Sequence, residues 1–145
     1  MAFASDGPLA RLLCNTQDLV ESGAEATGAV WKLAERGRQL DANLIRLTPG
    51  RHVDAHAEPD LDVLLLVMAG DGTLTSPDRD QAMTVGALFW LPRGSRRALA
   101  AGPDGLSYLT IHRRRPGLSI RARPDGAPAP QQQDANSSGT NPRLR

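Results

Sequence analysis

The chain is poor in the residues that most often announce a function. One cysteine stands among 145 residues, so neither an intramolecular disulfide nor a cysteine-built zinc cluster is available. Cys14 lies in a short apolar segment and reads as core filler. Lysine occurs once, at Lys32, and the net charge is only +1. Residues 1–121 carry 14 basic and 14 acidic groups, a neutral body without the footprint of a nucleic-acid binder. Against that balance the run Arg113, Arg114, Arg115 reads as a solvated strand end. Aromatic residues make up 3% of the chain, so its core is aliphatic. The longest apolar run, residues 63–68, is far too short to span a bilayer, and the first residues lack the basic-then-apolar order of a secretory leader. A soluble, cytoplasmic protein with no nucleic-acid or membrane partner is the expectation. No phosphate-cradling glycine loop, nucleophile elbow or Cys–His zinc pattern occurs.

What the chain does have is a succession of short apolar segments divided by strong turn signals. Strands are expected at 30–33, 40–47, 51–57, 63–68, 73–76, 82–85, 88–91, 97–100 and 106–112, with a short one at 118–120. Arg36-Gly37, Pro49-Gly50, Gly70-Asp71-Gly72, Pro92-Arg93-Gly94 and Gly102-Pro103-Asp104-Gly105 divide them. Many short strands at such spacing predict an all-β antiparallel sandwich or barrel. Gly70-Asp71-Gly72 reads as a tight hairpin, because glycine supplies positive φ without steric cost. The run 63–68 lacks alternation, which predicts cover on both faces. Residues 1–28 form a lead-in arm, with a helical turn over 8–13 after Asp6 and a short element at 18–20. The folded domain is placed at 29–121. Residues 122–145, rich in Pro, Gln, Gly, Asn and Ser, read as a disordered tail that cannot bury enough surface to offset its ordering entropy.

Chemistry concentrates in residues 50–62. If 51–58 is an extended strand, period-two alternation places His52, Asp54, His56 and Glu58 on one face. Two imidazoles and two carboxylates are what a transition-metal site is built from. His52 and His56, four apart, sit roughly 13 Å from each other in a straight strand, too far to share an ion. His56 and Glu58, two apart, are close enough. Tyr108, Thr110 and His112 alternate onto one face of a late strand.

Two segments together resemble the cupin superfamily, over about residues 30–115. The first is Pro49-Gly50, then His56-Ala57-Glu58-Pro59, closed by Gly70-Asp71-Gly72-Thr73-Leu74. The second runs Gly86-Ala87-Leu88-Phe89-Trp90-Leu91-Pro92-Arg93-Gly94-Ser95-Arg96-Arg97, with glycines and proline at every framework position. The resemblance implies a small single-domain cupin of the actinobacterial type, with a jelly-roll barrel. It carries His56 onto the first ligand histidine, Glu58 onto the second, Val63 (beside Asp62) onto the glutamate and Arg97 onto the last histidine. Arginine cannot ligate a divalent ion and repels one. The favoured expectation is therefore a homodimeric, non-catalytic small-molecule-binding or regulatory protein with no metal cofactor. Arg97, His56 and Glu58 line its pocket, Arg97 pairs with Glu58, and an anionic small molecule is the ligand. The alternative is a metal-dependent dioxygenase or isomerase, with one iron, manganese, nickel or zinc ion held by His56 and Glu58, joined by Asp62 or His52.

Overall fold

Two strands run straight through positions where clustered glycines predict turns. In the computed structural model, which describes residues 7–22 and 27–115, helix α1 (Thr16–Glu21) precedes seven strands. These are β1 (Gly28–Lys32), β2 (Leu40–Leu47), β3 (His52–Ala57), β4 (Val63–Thr75), β5 (Asp80–Met83), β6 (Leu88–Leu91) and β7 (Arg96–Arg113). The expected strand at 118–120 and the tail at 122–145 lie outside the described residues.

β4 contains the expected Gly70-Asp71-Gly72 hairpin, and β7 contains the expected break at 102–105. Both expectations are corrected, and the reason is close backbone approach. A Cβ on Gly70 would stand 2.0 Å from the Gly105 carbonyl oxygen, and one on Gly72 would stand 2.4 Å from that of Ala100. The glycines let β4 and β7 cross in contact while their pairing register shifts between Gly70 and Gly72.

This shared bend divides the strands into two layers. Residues 63–70 of β4 and 106–112 of β7 pair with each other, flanked by β6 on one side and by β2 then β1 on the other. Residues 72–75 of β4 and 98–101 of β7 pair as well, flanked by β5 and β3. The antiparallel two-sheet architecture expected from the turn spacing is present.

The core between the sheets is aliphatic, with Leu65, Val67, Leu74, Met83 and Leu106 almost fully buried. Residues 63–68 alternate after all: Val63, Leu65 and Val67 point inward, while Leu64 is 40% exposed. The expected cover on both faces is incomplete at this edge. In the arm, residues 8–13 are not helical. α1 starts later because the Asn15 side chain accepts hydrogen bonds from Gln17 N and Asp18 N, at 2.9 and 3.4 Å. Those are two donors that the first turn leaves without an intrahelical partner.

The crossing glycines are testable against a glycine that merely turns. Gly50 also has positive φ, +76°, but a Cβ there meets nothing within 4 Å. Gly70→Ala is expected to cost about 3 kcal/mol or more in a denaturant titration, and Gly50→Ala about 1 kcal/mol.

Candidate functional site

A cavity of about 570 Å³ lies between the two sheets. Its wall is apolar where Ile45, Leu65, Leu91, Val53 and Leu99 contribute. Polar groups come from both sheets: Tyr108, Thr110 and His112 on β7, Asn43 on β2, His56 on β3 with Glu58 just after it, and Arg97 at the start of β7. The three residues carried over by resemblance thus share one cavity.

The route by which they arrive differs from the expected four-residue stripe. β3 pairs with β7 as His52↔Ala100 and Val53↔Leu99, then as His56↔Arg97 and Ala57↔Arg96. The register slips by one residue between Val53 and His56, which is a β-bulge. Before the bulge Val53 faces the cavity; after it His56 and Glu58 do. His52 and Asp54 are left on the solvent side, exposed, with His52 Nε2 3.2 Å from Asp54 Oδ1. His52 therefore does not join His56. Asp62 does not either: its Oδ1 accepts the Arg93 N–H at 2.8 Å, holding the turn of the second motif in place. The Gly94 N–H donates to the Glu58 carbonyl at 2.7 Å and fastens the same turn.

Arg97 is 8% exposed, and its hydrogen bond among the described residues runs from Nη1 to the Ser95 carbonyl, at 3.2 Å. Burial pulls the guanidinium below its ordinary value, and the nearby Glu58 charge opposes that pull. Even so, the expected ion pair is not formed. Glu58 Oε2 sits 3.1 Å from Nη2 of Arg115, and this contact is the carboxylate's ion pair. With Lys32 also on the wall, the cavity holds three fixed cations against one carboxylate.

Arg115 and Lys32 are site residues that sequence reasoning missed. The Arg113–115 run carries no mark distinguishing its third member, and only the return of β7 beside the segment after β3 brings Arg115 to Glu58. Tyr108, Thr110 and His112 do share a face as their alternation implies, and that face lines the cavity.

Both cavity imidazoles are oriented by the backbone. Nδ1 of His56 is 2.9 Å from the Asp54 carbonyl oxygen, and Nδ1 of His112 is 2.7 Å from that of Arg113. A carbonyl only accepts, so Nδ1–H is the donor and the neutral ring keeps its lone pair on Nε2. Among the described residues, no three His, Cys, Asp or Glu side chains gather into a ligand set. No helix there is long and apolar enough to cross a membrane.

Burial pushes the Tyr108 phenol up to about 12. The folded protein holds this proton more tightly than the unfolded chain, whose tyrosine titrates near pH 10. The resulting stability is complete below about pH 10 and is lost as pH rises toward 12, amounting to about 2–3 kcal/mol. Tyr108 is the single tyrosine, so tyrosinate absorbance reads it directly. The midpoint is expected about two units higher in native protein than in urea. Tyr108→Phe is expected to remove most of the alkaline loss of stability.

No family model matches the chain, and no curated protein matches its sequence. Solved structures do match. A cupin-2 domain containing protein from Shewanella frigidimarina superposes with a TM-score of 0.57 at 18% identity, over 70% of this chain and 95% of its own. The cupin domain of Cnp3 from Schizosaccharomyces pombe gives 0.52 at 14% identity, over 57% of this chain and 58% of its own. A polyketide cyclase from Streptomyces resistomycificus gives 0.52 at 19%, over 57% and 61%. At such identities the likeness is one of architecture, and it agrees with the two bent strands, the two sheets and the cavity between them. The chain has the cupin fold.

Proposed function

We propose that this chain is a non-catalytic, small-molecule-binding or regulatory cupin, acting inside the cell, whose cavity receives an anion at Arg97. One observation carries the reading. Arg97 is buried on the cavity wall and, among the described residues, has no carboxylate in ion-pair range, Glu58 being engaged by Arg115. A buried charge left without a partner is costly, and a ligand carboxylate or phosphate would supply that partner with the planar geometry a guanidinium fits. His56, opposite Arg97 across the β3–β7 pair, adds an imidazole beside the same spot.

The alternative, a metal-dependent dioxygenase or isomerase, draws less support. A divalent ion fits the residues present poorly: His56 and Glu58 share the cavity, but His52 points to solvent and Asp62 is occupied by the Arg93 N–H. Arg97 stands in the last ligand position and adds positive charge there. The Glu58 carboxylate would also have to leave Arg115.

Thermal unfolding in the presence of a panel of carboxylates and sugar phosphates tests the proposal. A binding anion at a hundredfold its Kd is expected to add about 2.7 kcal/mol to the wild type. Arg97→Met is expected to lose that response while unfolding, ligand-free, at the same or a higher temperature, because it removes an unpaired buried charge. Equal responses in both proteins, or no response in either, would sink the reading. Near-stoichiometric transition metal in untagged protein, lost on His56→Ala, would favour the enzyme instead.

A further inference from the structure

The cavity changes character between its floor and its opening. Both halves of β7 line it as they leave the crossing, where Leu106 pairs with Gly70 and Ala101 with Gly72. Tyr108 lies two residues beyond Leu106, whereas Arg97 lies four before Ala101. At about 3.3 Å per strand residue, Tyr108 sits roughly 7 Å nearer the crossing. The Arg97 guanidinium leans further outward, Nη1 donating to the Ser95 carbonyl. The other polar lining groups share its level or lie beyond it. Thr110 pairs with Asn43 and Asn43 with Lys32, while Glu58 and Arg115 meet past the ends of β3 and β7. Around Tyr108 the lining is Gly28, Ala29, Ile45, Leu47, Val53 and Leu99.

Tyr108 is 4% exposed, and among the described residues its hydroxyl has no hydrogen-bond partner. The one side-chain polar atom sealed away without a partner there is Ser95 Oγ, so the phenol oxygen opens onto the cavity. Burial pushes its titration up to about 12, which keeps the group a donor at neutral pH. The floor therefore offers one hydrogen to an acceptor and is otherwise apolar. A second carboxylate placed there would lose its water and gain no cation. A sugar phosphate carries a hydroxyl on most of its carbons, and all but one would be left unpaired.

We infer that the ligand is an oxo-carboxylic acid with an apolar body, held between Arg97 and Tyr108. Its carboxylate meets the Arg97 guanidinium and its carbonyl oxygen accepts from the Tyr108 hydroxyl. The carbons between them rest on Ile45, Val53 and Leu99. The inference rests on the anion at Arg97 proposed above, and adds Tyr108 as the residue that selects which acid is bound. A site built to hydrogen-bond one oxygen rejects the analogue that lacks it, because the site's own buried group is then left unpaired.

Titration calorimetry of the full chain with para-acetylbenzoate and para-isopropylbenzoate tests this, since the two differ by a carbonyl oxygen exchanged for a methyl group. The wild type is expected to bind the acetyl acid about tenfold tighter or more. Tyr108→Phe is expected to bring the two acids within about twofold while keeping the affinity for the isopropyl acid. A phenol that only packed would, once cut back, leave the ratio unchanged. Arg97→Met is expected to lose both acids. Equal affinities in the wild type overturn the inference, and so does a ratio that survives Tyr108→Phe. The wild-type comparison alone decides the matter if that variant fails to fold. Binding of inorganic phosphate or a hexose phosphate, but of neither acid, overturns it and leaves the anion at Arg97 standing. No binding of any of the four probes overturns both.

Discussion

Side chains on a strand alternate with a period of two, so each β3 residue reaches either the cavity or the solvent according to its register against β7. Between Val53 and His56 that register slips by one residue. Val53 and His56, which straight alternation places on opposite faces, both line the cavity as a result. Without the slip, the inward face that starts at Val53 would continue through Ala55 and Ala57, and His56 and Glu58 would join His52 and Asp54 outside. The polar character of the cavity on the β3 side depends on this one bulge. It also separates the two histidines of the segment, leaving one to the cavity and one to solvent.

The bulge has this effect because a second sheet faces β3. That arrangement depends on β4 and β7 crossing at Gly70, Gly72, Gly102 and Gly105, where a Cβ on either β4 glycine would overlap backbone of β7. The crossing carries each long strand from one layer into the other. Val63 and Leu65 of β4, and Arg97, Leu99 and Tyr108 of β7, are thereby placed around a single volume. Arg97 enters at the start of β7 and Arg115 lies just past its end. One strand and its exit thus deliver both the buried cation and the cation that engages Glu58.

Much of this was legible in the residues. The strands at 40–47 and 88–91 were readable to the residue, since both are apolar segments bounded by turn residues. The glycine–proline framework around Pro92-Arg93-Gly94 pointed to the fold, and His56, Glu58 and Arg97 to the cavity. Glycine at 70–72 was misread because one letter serves two physical needs, positive φ in a turn and room for a second backbone. The β3 bulge is a property of two strands together, and no single segment encodes it. Arg115 was hidden for a related reason: its role exists only where the end of β7 meets Glu58. The start of α1 was missed: Asp6 and Pro8 drew the expected turn upstream to 8–13, while the short element expected at 18–20 falls inside the helix that Asn15 caps.

Imidazole nitrogen NMR on the chain's three histidines, each assigned by substitution, tests the bulge most directly. Replacing Arg97 with methionine perturbs the field inside the cavity and leaves the solvent face alone. The account predicts a clear change in the ring nitrogens of His56, a smaller one at His112 across the cavity, and none at His52. If His52 and His56 shifted together, as residues on one face of an unbroken strand would, or if His56 did not respond, the account would be contradicted.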